Sequence, residues 1–494
     1  MFFTKRKRRE HCYEERNYNP VAGSAGNPLP CSFLQERPVY PPPSHEHSFE
    51  SSWSVDDTYH WYKATCEHTD VVKDKAEHSK DSGLVTKEPS ISEDGEKVFS
   101  CSVCGKELEK VVLPGGIEVG GGKSLEALLE EKDLESATTL KIKGTLNEAD
   151  FKTLREMATL ETLDISNVDN EGIPDRAFLG ASFSHILLPK NLKNIGERAF
   201  QASSITEMIL PEGLKTIGNA AFMGAKNLSK LSIPGSVEYV GRWIVQQALG
   251  GWVDDIPADA ALLELLLGEG IKELAPSAFW GSTVKEVRIP NSIKEIPDWC
   301  FGQSYLEKVV LHDGLTRIGA WAFENCKLVF DDNRLVIPKE VKVIGPFAFY
   351  LHIDVHSSTT RNTVILNDGL EALYQDAFVL GFHNETLEIP ASLKKLYRGS
   401  LIFEGGLTSV VFKGTTPPAY LKNIDPNAIS YNETTGEYEG PEDGNPPAIN
   451  IPEPEKYKNI KAYVPSEALD LYKSALKSDT DFEPFAESNI MAME

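Results

Sequence analysis

Cys101-Ser102-Val103-Cys104-Gly105 sets two thiols at the C-x-x-C spacing with a glycine directly behind them. This is the knuckle of zinc-ribbon sites, in which the glycine permits the turn that lets both thiolates face one ion. His45, His47, His60, Cys66, His68 and His78 precede it. On this reading Cys66 supplies a third thiolate and His68 or His78 the fourth donor. The candidate metal ligands are then Cys66, His68, His78, Cys101 and Cys104. Zn²⁺ suits such a donor set, and metal-binding energy would explain how a block so poor in aliphatic residues folds. A disulfide between Cys101 and Cys104, or from Cys66 to one of them, accounts for the same residues in an exported chain. The sequence leaves both open. Trp53, Tyr59 and Trp61 interleave with the histidines as the small core of this module. No general base can be placed beside an open coordination position, so a bound ion would be structural.

Other chemistry is absent from the sequence. Residues 115–122 are glycine-rich but lack the strand and Lys-Ser/Thr context of a phosphate loop. There is no His-Glu-x-x-His pair and no nucleophile elbow, and the expectation is a protein that is not an enzyme. The 494 residues carry 74 acidic and 50 basic side chains, a formal charge of -24, which argues against a nucleic-acid surface. The one basic run, Lys5 to Arg9, is followed by polar residues rather than an apolar stretch. The chain as written therefore shows no recognisable signal peptide and no transmembrane segment.

What occupies most of the length is a repeat. A Phe returns on a period close to 22 residues in the pattern apolar-x-x-Ile/Leu-(Gly)-x-x-Ala-Phe, followed by a turn and a short apolar strand. Phe178, Phe200 and Phe222 hold this spacing, as do Phe279, Phe301 and Phe323; Val245 takes the place in a degenerate unit, and Phe349, Phe378 and Phe403 continue the series. One such unit cannot bury its own apolar face, so neighbours must stack and share a core. The expected fold is an α/β repeat solenoid, a leucine-rich-repeat right-handed superhelix with one short parallel strand per unit. Ala-Phe lies in a short helical or 3₁₀ turn, with the ring filling the wedge between repeats. Gly218, Gly241, Gly319 and Gly345 are expected to allow a tight turn ahead of it. Cys300 and Cys326 fit small core positions.

By alternation, the middle residue of each strand points outward. These residues are Ile209, Ser232, Leu266, Arg288, Val310, Val336, Ile365, Glu388 and Val411. Stacked about 4.8 Å apart, they make a mostly apolar ribbon, able to dock a protein partner or a second copy of the chain. Extra residues near Trp252, Asp254 and Asp255 place an aromatic beside two carboxylates, and insertions in solenoids often loop out on the binding face. Together these are the candidate ligand-binding residues.

The chain divides by composition into a leader or spacer (1–44), the Cys/His-rich zinc-ribbon-like module (45–112), a Gly-rich linker (113–122), an N-terminal cap (123–170), the solenoid (171–428), an acidic Gly/Pro loop (429–450) and a C-terminal cap and tail (451–494). In the caps, helices are expected at Leu125 to Leu134, Asn147 to Met157 and Ser466 to Ala475. Strands are expected at Thr139 to Ile142, Leu160 to Ile165 and Ile460 to Val464.

The repeats resemble the BspA-type leucine-rich repeats of bacterial cell-surface proteins, whose pattern is close to Leu-x-x-Ile-x-Ile-Pro-x-Ser-Val-x-x-Ile-Gly-x-x-Ala-Phe. It stands here as Leu228 through Val240 and as Val287 through Phe301. Leu125 to Ile165 is similar to the N-terminal cap of gut Bacteroides-type members, and Tyr463-Val464-Pro465 to their usual ending. The block from His47 through Gly105 resembles a Cys/His module found ahead of such repeats, with Trp53, His60-Trp61, Cys66, His78, Thr86-Lys87-Glu88 and the Cys101/Cys104 pair as its marks. The resemblance implies a cell-surface or secreted protein that adheres to an extracellular protein or glycan, and it brings no catalytic residues. A self-associating surface component is the alternative. The departure is the N-terminus, which shows neither the signal nor the lipobox of surface members.

Overall fold

In a computed structural model the described residues run from 46 to 493, excepting 69, 114, 130, 248–252, 352–361, 379–381, 398, 401–406, 423, 426–427, 429, 436, 442–459 and 477–486. His45, Trp252 and Phe403 lie outside them. The chain forms two compact units. One holds the residues up to Ser79 together with Cys101–Lys106; the other holds Lys80–Ser100 and Glu107 onward. The Cys/His-rich block read as one module is therefore shared between two units.

The larger unit is a repeat solenoid of mostly parallel strands. Each repeat contributes two short strands rather than the single one expected. The expected strands pair in parallel, as in Glu207–Ile209, Lys230–Ile233 and Glu264–Leu267. The second series is made by the Ile/Leu of the repeat pattern. Gly172–Ile173, Asn194–Ile195, Thr216–Ile217, Tyr239–Val240 and Glu273–Leu274 form one sheet of five. Glu295–Ile296 through Ala419–Leu421 form another of six. A two-residue strand bounded by polar positions carries too little β pattern to be recognised alone. It persists because its neighbour one repeat away offers the same donors and acceptors.

The Ala-Phe segment is a hydrogen-bonded turn, not a helix. Its rings stack repeat upon repeat. Phe200 and Phe222 lie 5.4 Å apart, Phe279 and Phe301 5.2 Å, Phe301 and Phe323 5.7 Å, and Phe323 and Phe349 5.1 Å, all fully buried. Cys300 and Cys326 are buried beside this column, where burial raises both thiols and holds Cys326 at about 12.

The glycines have a different task from the one expected. Gly218, Gly241, Gly319 and Gly345 do not take left-handed backbone angles. A Cβ on Gly218 would sit 2.7 Å from the backbone of Glu197, and one on Gly319 2.6 Å from that of Asp298. They allow close approach of adjacent repeats. The left-handed residue falls two positions later, on Ala220, Trp243, Trp321 and Phe347, and at the same place on Arg176, Arg198, Ser277, Trp299 and Asp376. A non-glycine residue there is strained. Its amide nevertheless bonds to the next repeat, as Trp299 N–H does to the Ala320 carbonyl at 2.8 Å, and this ladder holds the turn in place.

The N-terminal end of the solenoid has the expected strands at Thr139–Gly144 and Thr162–Val168. The helix Glu148–Glu156 starts on an Asn147–Asp150 capping box, and its Phe151 packs on Phe178 at 5.4 Å. Leu140, Leu154, Leu160 and Leu163 are buried. Two corrections arise here. The expected helix from Leu125 is two short pieces, Leu125–Leu128 and Glu131–Ser136. Within the Gly-rich stretch, Ile117–Val119 is a buried-face strand paired with Thr139–Gly144, not a linker.

At the other end Lys461–Val464 pairs with Ser409–Phe412 and with Ile490–Ala492. The helix expected from Ser466 begins at Leu469, after the 3₁₀ turn Ser466–Ala468. Tyr472 and Leu476 join the core. The acidic loop is also corrected. Ser430–Asn432 and Glu437–Glu439 form an antiparallel hairpin, and its Tyr438 is buried against Tyr374 and Arg317.

Candidate functional site

The smaller unit builds its site on a three-stranded antiparallel sheet of Ser54–Val55, Tyr59–Lys63 and Val72–Glu77. His60, on the central strand, is paired with Val55 on one side and Ala76 on the other. His78 follows the third strand directly, so the two imidazoles meet, 5.5 Å apart between ring centroids. The Cys101–Lys106 knuckle docks through Ser102 N–H to the Ser79 carbonyl at 2.8 Å. It closes through Gly105 N–H to the Cys101 carbonyl at 2.9 Å. Gly105 has φ of 76°, the left-handed angle that the turn requires of it.

His60, His78, Cys101 and Cys104 converge, their four donor atoms within 4.8 Å of one another. Nδ1 of His60 is 3.8 Å from the Cys101 sulfur, and Nδ1 of His78 is 3.5 Å from that of Cys104. The other nitrogen of His78 bonds to the Asp56 carbonyl at 3.0 Å, which fixes the ring and leaves Nδ1 facing the thiols. Trp53 meets the His60 ring edge-on at 4.6 Å and stacks on Tyr62 at 4.0 Å. Burial disfavours the Cys101 thiolate, but the amides of Cys104 and Val103, the His78 ring and the Ser79 amide outweigh it and bring the thiol down to about 5. Burial, with Cys101 close by, raises the Cys104 thiol. The Asp56 carbonyl, then the Cys101 sulfur, raise His78. These groups form a cluster capable of coordinating a metal.

The five expected ligands do not form one site. Cys66 and His68 join His47 in a second, more exposed cluster. There His47 Nδ1 lies 3.2 Å and His68 Nδ1 3.8 Å from the Cys66 sulfur. His60, one of the marks of the Cys/His module, is a donor that spacing alone does not single out, because it lies inside the strand Tyr59–Lys63 at no metal-ligand interval from the others. No disulfide joins the described cysteines.

In the larger unit the outward positions stand in register along each sheet. Ile209 is opposite Ser232 and Ser232 opposite Leu266. Arg288 faces Val310, Val336 faces Ile365, and Glu388 faces Val411. Ile209 is 68% exposed, Leu266 44%, Val336 59% and Ile365 37%, while Ser232, Val310 and Val411 are half-buried. Arg288 and Glu388 are exposed, Glu388 pairing with Lys413 at 2.7 Å. Beside this row runs a ladder of ion pairs that the sequence reading did not single out: Lys230–Glu264 at 3.4 Å, Lys285–Glu307 at 3.1 Å and Glu286–Lys308 at 3.8 Å. The available signal was a Lys or Glu one position ahead of the inward residue, as at Lys230, Glu264, Glu286 and Lys308, with Lys285 and Glu307 one position further back. Asp254 is exposed in the 3₁₀ turn Val253–Asp255.

The family model described as the BspA type leucine rich repeat region matches this chain in six copies, over residues 132–248, 260–356 and 332–435. No curated protein matches. Among solved structures, a leucine-rich repeat protein from Bacteroides ovatus is 15% identical with a TM-score of 0.34, covering 92% of this chain and 100% of its own. The pneumococcal vaccine antigen PcpA is 15% identical with a TM-score of 0.29, covering 90% of this chain and 99% of its own. A leucine-rich repeat protein of T. pallidum is 20% identical with a TM-score of 0.29, covering 39% of this chain and 78% of its own.

Proposed function

The chain belongs to the BspA-type leucine-rich repeat family, matched over more than half of its 494 residues, and on that footing we propose that it is a non-enzymatic cell-surface protein whose solenoid binds an extracellular protein. The observation that carries this reading is the outward row. Ile209, Leu266, Val336 and Ile365 hold aliphatic side chains in solvent along strands whose other residues are buried, half-buried or charged. Leaving such groups exposed is costly unless a partner covers them. The row is aliphatic rather than aromatic, which suits a protein surface better than sugar rings, and the flanking ion pairs supply a polar rim.

The test is saturable binding of the full chain to extracellular-matrix proteins and mucins, repeated with Ile209→Asp and Val336→Asp. Exposed positions of this kind change stability by no more than about 0.5 kcal/mol, so a loss of binding would report the surface itself. Binding unchanged by both substitutions, or absent from the wild-type chain, would overturn the reading. If the same substitutions instead abolish a concentration-dependent mass, the row serves self-association, the second reading.

A further inference from the structure

The smaller unit has almost no hydrophobic interior. Among its described residues the buried ones are His60 and Cys101, each 2% exposed. Its aromatic side chains, Trp53 and Tyr62 included, are at best half-buried. Two polar, metal-ligating side chains therefore occupy the place where a domain of this size would bury leucines. A fold this small is rarely stable without a disulfide or a metal, and no disulfide joins its described cysteines.

We propose that His60, His78, Cys101 and Cys104 bind one zinc ion in a closed tetrahedral site, and that this ion is the core of the unit. The spacing fits. With Zn–S about 2.3 Å and Zn–N about 2.1 Å, tetrahedral geometry puts sulfur and nitrogen about 3.6 Å apart, and the two distances here are 3.5 and 3.8 Å. The donors are two sulfurs and two imidazoles with no carboxylate in the cluster, a set that selects zinc over calcium or magnesium. Two thiolates neutralise the ion, so the assembled site is uncharged and can be buried; any thiol still protonated releases its proton to solvent on binding. All four positions come from the protein, which makes the site structural rather than catalytic. The ligand set differs from the expected one by taking His60 in place of Cys66 and His68.

The experiment uses the full chain, reduced, loaded with zinc and freed of loose metal by gel filtration, with metal measured per chain. His60→Ala and Cys101→Ser are each expected to lose one zinc equivalent relative to wild type, while Cys66→Ser keeps that ion. His60→Cys, which preserves four donors, guards against simple unfolding. With cobalt in place of zinc it should retain the metal and show stronger thiolate-to-cobalt charge-transfer absorption than wild type, because a third sulfur has joined. A wild-type chain that holds no zinc overturns the proposal. So does full zinc retention by His60→Ala, or an unchanged cobalt spectrum in His60→Cys.

Discussion

Tyr438→Phe isolates one hydroxyl at the contact between the hairpin and the repeats. That hydroxyl donates to Asp298 Oδ1 and accepts from Arg317 at 3.0 Å and from the Ala320 amide at 2.7 Å. The phenyl ring, packed on Tyr374 at 5.1 Å, is kept by the substitution. Both donors keep an acceptor, since Asp298 Oδ1 lies 2.9 Å from Arg317 and 3.0 Å from the Ala320 amide. Arg317 is also held by Glu295 at 2.7 Å. What is lost is one hydrogen bond donated to a charged carboxylate, without a stranded buried partner, for which about 2 kcal/mol is the expected size. The hairpin is a local element, so the loss should appear as easier local opening rather than as global unfolding. Hydrogen exchange measured residue by residue should speed up about 30-fold at the amides of Tyr431, Tyr438 and Ala320. The amides of the strand Thr139–Gly144 should not change. Less than about a threefold change at the hairpin, or an equal rise in both regions, would refute the reasoning.

Two further outcomes follow from the same structure. Phe301→Ala removes a fully buried ring stacked between Phe279 and Phe323. Rings on both sides hinder collapse of the cavity, so the cost should be about 4 kcal/mol, and urea unfolding should split as the repeats on either side uncouple; an unchanged single transition would contradict this. Burial holds the phenols of Tyr374 and Tyr438 above their ordinary value of 10.0, Tyr397 adding to the effect on Tyr374 and Asp298 to that on Tyr438. An unfolded phenol ionises near 10 while these stay protonated, so the unfolded state binds fewer protons there and stability falls as pH rises. The contribution is intact below pH 10 and declines above it by about 1.4 kcal/mol per pH unit for each phenol. Denaturation midpoints taken from pH ~9 to ~11.5 should fall with rising pH, and less steeply in Tyr438→Phe, the buried Tyr472 and Cys326 keeping part of the slope; a flat profile, or one unchanged by the substitution, would count against it.

The repeat was legible in the sequence because a solenoid's contacts are local. Phe301 touches the rings one period before and after it, so the spacing along the chain is the spacing in the core. For the same reason the outward or inward sense of Ile209, Leu231, Val287 and Arg288 could be read from alternation alone. The glycine period was legible too, but not its meaning. A glycine needed for close approach and one needed for a left-handed turn look identical in a sequence, and Gly218 proved to be the first while Ala220 took the turn.

The His/Cys cluster able to hold a metal and the hairpin belong to the tertiary structure. Cys66 lies nearer to Cys101 in the chain than His60 does, yet antiparallel pairing of His60 with Ala76 carries His60 to His78. Tyr438 reaches Asp298 across 140 residues, where neither periodicity nor composition constrains pairing. Repetition writes a structure's neighbours into its sequence at a fixed distance. A contact made once, between distant segments, is set by how the intervening chain folds, and only the folded coordinates hold it.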